Sequence, residues 1–293
     1  MEFYDSRGTT YDQNTLDVFS IVPKMTLFDI HDIPVTQLTL APAGNTSIQR
    51  LGLSLAGQGL AVMNTLQSMT WLSSLDLTCN GTVPSMPHAI DLVSLRHLLL
   101  RDPLSTNIIP HVWRQIHVPA LTCLALCYEG EDTDQPIYPS LLTPHTSITD
   151  FRVYLEYDVD KAELYESALV AILYNLPNIT IFKLESRDPW PIVMEELYNN
   201  VECLPHLNQL HYLVNTALRN GAADVFVRML QRRKDSPGCA IISHLFILTY
   251  PIMNQITQHL WDSIMNDKIQ LMEVLQVHDE RLYTSHAFLA EVD

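Results

Sequence analysis

Leu72-Ser-Ser-Leu-Asp-Leu-Thr-Cys-Asn80 is the stretch whose reading decides the fold. Its apolar residues stand at i−3, i and i+2 around Leu75, and the period of two lays Leu75 and Leu77 on one face of a strand. The same triplet recurs as Ile48/Leu51/Leu53, Leu95/Leu98/Leu100, Leu121/Leu124/Leu126, Ile148/Phe151/Val153, Ile179/Phe182/Leu184, Leu207/Leu210/Tyr212, Ile242/Leu245/Ile247 and Met272/Leu275/Val277. Consecutive central residues lie 23 to 35 positions apart.

A recurring L-x-x-L-x-L-x-x-N strand segment with a period of roughly 20–29 residues is the mark of a leucine-rich repeat, although three of the later intervals here are longer. A second signature supports it. Pro-x-apolar-Thr/Asn-x-apolar-x-apolar occurs from Pro119 to Leu126, from Pro177 to Leu184 and from Pro205 to Tyr212, where proline stops the preceding helix and lets a strand begin. Pro23 to Ile30 repeats it, so a further strand is expected through Met25, Phe28 and Ile30, with Val35 to Leu40 on the return path.

Between strands, Leu169/Ile172/Leu173/Leu176, Leu218/Ala222/Val225/Phe226/Met229 and Met253/Ile256/Leu260/Ile264 follow helical spacing. Thr78 to Ser94, broken by Pro84 and Pro87, predicts loop or short 3₁₀ turn. The expected fold is an α/β leucine-rich-repeat solenoid, a horseshoe with a parallel sheet on the concave face and helices or loops on the convex face. It spans residues 23–278, after an N-terminal cap or frayed segment over 1–22 and before a C-terminal tail over 279–293.

Seventeen Lys and Arg against 33 Asp and Glu give a net charge of −16. Such a chain repels phosphate backbones and anionic lipid, so nucleic-acid and membrane binding are not expected. No apolar run approaches the ~20 residues needed to cross a bilayer, and the opening Met-Glu-Phe-Tyr-Asp does not read as a signal peptide. A cytoplasmic or nuclear protein with five reduced cysteines is expected, with Cys79, Cys123 and Cys127 packed as small side chains in repeat strands. The acidic stretch from Tyr128 to Thr146 lacks the spacing of a calcium loop and reads as a solvated surface loop.

Motifs for phosphate, dinucleotide, zinc-protease and hydrolase chemistry are absent, and the twelve histidines are scattered. No catalytic residue, cofactor or metal is expected. The sequons at Asn45, Asn80 and Asn178 carry little weight.

With i and i+2 turned to the core, positions i−1, i+1 and i+3 fall on the concave face. There the cations Arg50, Arg101, Arg152 and Lys183 nearly balance the acids Asp76, Asp150 and Glu185, so the acidic excess lies elsewhere. Arg101, Asp150, Arg152, Tyr154, Lys183, Glu185, His211, His244 and Phe246 form the expected protein-binding strip, rich in the residue types of interface hot spots. Arg152, Lys183 and Phe246 are expected to act together, and reversing the two cations to Glu is expected to leave folding intact.

The L-x-x-L-x-L strands at Leu72 to Leu77 and Leu95 to Leu100, together with the Pro-x-Ile-Thr-x-Phe strand start at Pro177, resemble the irregular leucine-rich-repeat region of the large fungal (basidiomycete) F-box-like families. That resemblance implies a non-enzymatic module in which the repeats capture a substrate protein for a ubiquitin ligase, while an F-box docks to the cullin-linked adaptor. No L-P-x-E-I/L-L helix start precedes the repeats, so a truncated or degenerate member is implied. A scaffold or inhibitor using the same concave face is the alternative expectation, followed by an enzyme with an unrecognised site.

Overall fold

Each apolar triplet that falls among the described residues becomes a strand, and the strands pair in the register their spacing sets. The computed structural model describes residues 26–30, 48–55, 59–80, 86, 88–103, 108–129, 145–156, 162–186, 192–214 and 222–249. The expected N-terminal cap, the Val35 to Leu40 return path, most of the acidic loop, the strand at Leu275 with its preceding helix, and the tail lie outside them. The fold is α/β with parallel sheet, and the chain divides into two compact units, Met1–Thr122 and Cys123–Asp293.

In the first unit, β1 (Leu27–Ile30), β2 (Arg50–Ser54), β3 (Ser74–Thr78) and β5 (His97–Asp102) pair in parallel, aligning Phe28, Leu51, Leu75 and Leu98. The strand expected from Pro23 onward is therefore β1. Helix α1 (Gly59–Gln67) follows β2 and buries Val62, Met63 and Leu66. The segment expected to be loop carries a small second ladder. Its strand β4 (Ile90–Asp91) pairs in parallel with β6 (Ile116–His117), and the short helix α2 (Ile109–Trp113) precedes β6. Asp91 and His117 pair across that ladder at 2.9 Å. The buried Asp102 carboxylate accepts the Ile108 backbone N–H at 3.3 Å, tying β5 to the start of α2.

The second unit alternates strand and helix: β7 (Cys123–Glu129), β8 (Asp150–Glu156), α3 (Ala162–Leu173), β9 (Ile181–Ser186), α4 (Ile192–Asn199), β10 (Gln209–Val214), α5 (Ala222–Asp235) and β11 (His244–Thr249). The strands run parallel in chain order, and Leu124, Phe151, Phe182, Leu210 and Leu245 share one row. Leu51, Leu75, Leu98, Leu124, Phe151, Phe182 and Leu210 are all buried, none more than 2% exposed. Each such side chain contributes roughly 1.5–3 kcal/mol of transfer free energy. Phe151 stacks on Phe182 with ring centroids 6.0 Å apart. The helical stripe Leu169, Ile172, Leu173 and Leu176 is buried, as are Val225, Phe226 and Met229 of α5.

A recurring hydrogen bond explains the polar residue of the proline signature. Just before six of the strands, one carbonyl accepts two backbone N–H groups from the next strand's start. Thr149 O takes those of Thr180 and Ile181, Thr180 O those of Asn208 and Gln209, and Asn208 O those of Ser243 and His244. Thr26, Gln49 and Ser73 do the same in the first unit. Where the incoming residue is Ser or Thr, its hydroxyl donates to that carbonyl as well: Ser73 to Gln49 (2.9 Å), Thr122 to Arg96 (3.1 Å), Thr180 to Thr149 (3.2 Å) and Ser243 to Asn208 (3.3 Å). A short hydroxyl at this position thus adds a further donor to a carbonyl that ties one strand start to the next.

Beneath β10, the buried Arg233 of α5 donates to the carbonyls of Cys203 (3.0 Å) and Leu204 (2.6 Å). Leu204 holds a φ of 51° immediately before Pro205, a left-handed conformation that disfavours a branched side chain. The guanidinium fixes that turn. Two sequon asparagines also have structural duties: Asn80 Oδ1 accepts the Ser54 hydroxyl, and Asn178 Nδ2 donates to Thr146 O.

Candidate binding face

On the face opposite the apolar row, the register of the second unit aligns three rows across the strands. The first is Cys123, Asp150, Ile181, Gln209 and His244; the second is Ala125, Arg152, Lys183, His211 and Phe246; the third begins Cys127, Tyr154 and Glu185. All the residues expected from sequence except Arg101 thus fall into one lattice, which also holds Gln209 and Ile181. Arg101 belongs to the first unit, where it grips Asp76 through Nε (3.1 Å) and Nη2 (3.0 Å).

Arg152 grips Asp150 in the same two-pronged way, Nε to Oδ1 at 3.1 Å and Nη2 to Oδ2 at 2.7 Å. The planar guanidinium suits a carboxylate geometrically, and in a dry setting each charge needs the other. Burial, then the neighbouring Lys183 ammonium, pushes the His211 imidazole down to about 3, so its ring is neutral at neutral pH. Burial and the Asp150 carboxylate push the Cys123 thiol up to about 12. It therefore stays protonated and cannot act as a thiolate nucleophile at neutral pH. Ser243 Oγ and His244 Nδ1 lie 2.8 Å apart, which orients the His244 ring.

The strip expected to face solvent is instead largely dry. Arg152 is 5% exposed and Lys183 8%, while Arg101, Tyr154 and Glu185 are also buried. Reversing Arg152 and Lys183 to Glu would therefore set new carboxylates beside Asp150 and Glu185 with little water to screen them, and the expectation that folding survives is corrected on that ground. Strand alternation says which way a side chain points, not whether anything covers it. For Phe246 the structure gives the backbone register opposite His211 and nothing of the side chain.

Among the described side chains of the second unit's sheet, those that remain accessible lie at and just before the strand starts. Thr149 is exposed, and Asp150, Thr180, Ile181, Asn208, Gln209, His211, Ser243 and His244 are half-buried. Of these, sequence reasoning singled out Asp150, His211 and His244. Thr180, Ile181, Asn208 and Gln209 had a legible signal in the Thr/Asn position of the proline signature and in the residue that follows it. The arrangement can offer hydrogen-bond donors and acceptors held on a rigid sheet.

Among the described residues no group of three His, Cys, Asp or Glu side chains could hold a metal ion, and no helix is long and apolar enough to cross a membrane. No family model matches the chain, and no curated protein matches it.

Proposed function

We propose that the chain is a leucine-rich-repeat solenoid, horseshoe-shaped with its sheet on the concave side, that works as a non-enzymatic protein-binding module. The observation that carries this reading is the register: parallel strands stack with one apolar residue per strand in a buried row and a polar row on the opposite face. A rigid sheet with half-buried, hydrogen-bonding side chains is the kind of surface that orders little on binding and so loses little entropy. The partner sits on the strand-start half of the concave face, around Asp150, Gln209, His211 and His244, while Arg152, Tyr154, Lys183 and Glu185 build the floor beneath it.

The recruitment role implied by the F-box-like resemblance, substrate capture for a ubiquitin ligase, belongs to the same proposal. Affinity capture tests both parts. A Gln209→Glu/His244→Glu variant with an unchanged melting temperature is expected to lose the partner that the wild-type chain retains. Equal retention would reject this face. Co-purification of a cullin-linked adaptor supports the receptor role, and capture of the partner without it leaves a scaffold or inhibitor.

A further inference from the structure

Cys203 and Cys239 each follow a helix, in the turns after α4 and α5. Three sets of hydrogen bonds lay the second turn and its helix on the first. The Cys239 thiol donates to the Val201 carbonyl at 2.9 Å, the Ala240 N–H donates to the Pro205 carbonyl at 2.7 Å, and the Arg233 guanidinium donates to the carbonyls of Cys203 and Leu204 between them. Cys203 stands midway between Val201 and Pro205, so the Cys239 side chain and the backbone beside it bracket the Cys203 position.

The two thiols also share a cation. Burial lowers the Arg233 guanidinium from its ordinary value, and Cys239 and then Cys203 act in the opposite direction, which places both sulfurs within electrostatic reach of the same charge. A guanidinium beside both compensates the negative charge that appears on sulfur during thiol oxidation and exchange. The two differ in access. Cys203 is buried, and burial, then the Glu196 carboxylate, push its thiol up to about 12 while Arg233 opposes them. Cys239 is half-buried and open to a small oxidant. It follows Gly238, which has a φ of 91° and open space where a Cβ would stand, and a weak S–H donor alone fixes its side chain on Val201. The thiol has room to swing from that carbonyl toward Cys203.

We infer that Cys239 and Cys203 are a reversible dithiol/disulfide pair, oxidised by a peroxide, that locks the turn after α4 to the segment leading into β11. The Cys239 thiolate attacks the peroxide, taking up one oxygen as a sulfenic acid while the O–O bond breaks and hydroxide leaves. The Cys203 sulfur then attacks the Cys239 sulfur. The S–S bond forms, the S–O bond breaks, and the oxygen leaves as water with the proton of the Cys203 thiol. Peroxide takes the two electrons that the thiols give up, and a dithiol reductant returns them by exchange.

The test exposes the full native chain to hydrogen peroxide, quenches with acid, alkylates the remaining thiols in denaturant and maps the peptides without reduction. The main product is expected to be the Cys203 peptide joined to the Cys239 peptide, abolished by dithiothreitol, with Cys79, Cys123 and Cys127 recovered alkylated. The oxidised chain is expected to unfold at a higher denaturant concentration than the reduced one, because the bridge restrains the unfolded state. Cys239→Ser, a change at a half-buried position, is expected to leave Cys203 fully alkylated after the same treatment. Over-oxidised Cys239 beside a free Cys203, or a bridge between the Cys239 residues of two chains, would overturn the inference. Crosslinks spread over several cysteine pairs, oxidation of Cys203 undiminished in Cys239→Ser, or an unfolding midpoint that oxidation does not move would each overturn it as well.

Discussion

Cys239 is half-buried while Cys79, Cys123, Cys127 and Cys203 are buried, and burial drives the thiols of Cys123 and Cys203 up to about 12. Because alkylating reagents attack the thiolate, one cysteine of the five is expected to react in the native protein, with the other four following only on unfolding. Peptide mapping after brief native labelling checks this, and rapid modification of Cys123 would contradict the packing described for its strand. His211 gives a second residue-scale prediction. Its folded value of about 3 lies below its ordinary 6.5, so between the two the unfolded chain binds the extra proton. Stability contributed by the neutral ring is present above pH 6.5 and is lost as the pH falls, at about 1 kcal/mol per pH unit. Denaturant melts across that range should show a shallower decline for His211→Gln than for wild type, and parallel curves would refute it.

The strands were legible because burial on one side of a sheet imposes a period of two, and no other arrangement explains Leu51, Leu75, Leu98, Phe151 and Phe182 in equivalent positions. Helix α3 was legible for the matching reason at its own period. The β4 and β6 ladder was not, since two-residue strands are too short to show any period. Arg233 gave no signal either: within Gln231-Arg-Arg-Lys234 nothing distinguishes the buried arginine from its exposed neighbours, and only the turn at Leu204 explains it. The binding strip was half legible, because alternation gave its direction and register while the dryness of Arg152 and Lys183 depends on packing that the pattern does not encode. Two substitutions separate core from junction at this scale. Phe182→Ala, which removes a fully buried ring stacked on Phe151, is expected to cost about 3–5 kcal/mol. Thr180→Val, which keeps the shape and removes one hydroxyl donor to Thr149, is expected to cost about 1 kcal/mol. Comparable losses from the two in equilibrium unfolding would show that the apolar row is not the main source of stability.

For the whole molecule, the proposed reading assigns the acidic excess to surfaces other than the binding face and lets the repeats divide their labour. On that reading the buried row holds the core, Arg101 and Arg152 are held on the opposite face by Asp76 and Asp150, and the strand starts would meet the partner. A chain organised in this way should make contact through a line of equivalent positions instead of a single pocket. The most direct measurement is site-specific photo-crosslinking, with the photoreactive residue placed in turn at Ile181, at Gln209 and, as a control, at the exposed Ser167 of α3. Crosslinks to one and the same protein from Ile181 and Gln209, with none from Ser167, are what the account predicts. Crosslinks to that protein from Ser167 with none from the two sheet positions would contradict it.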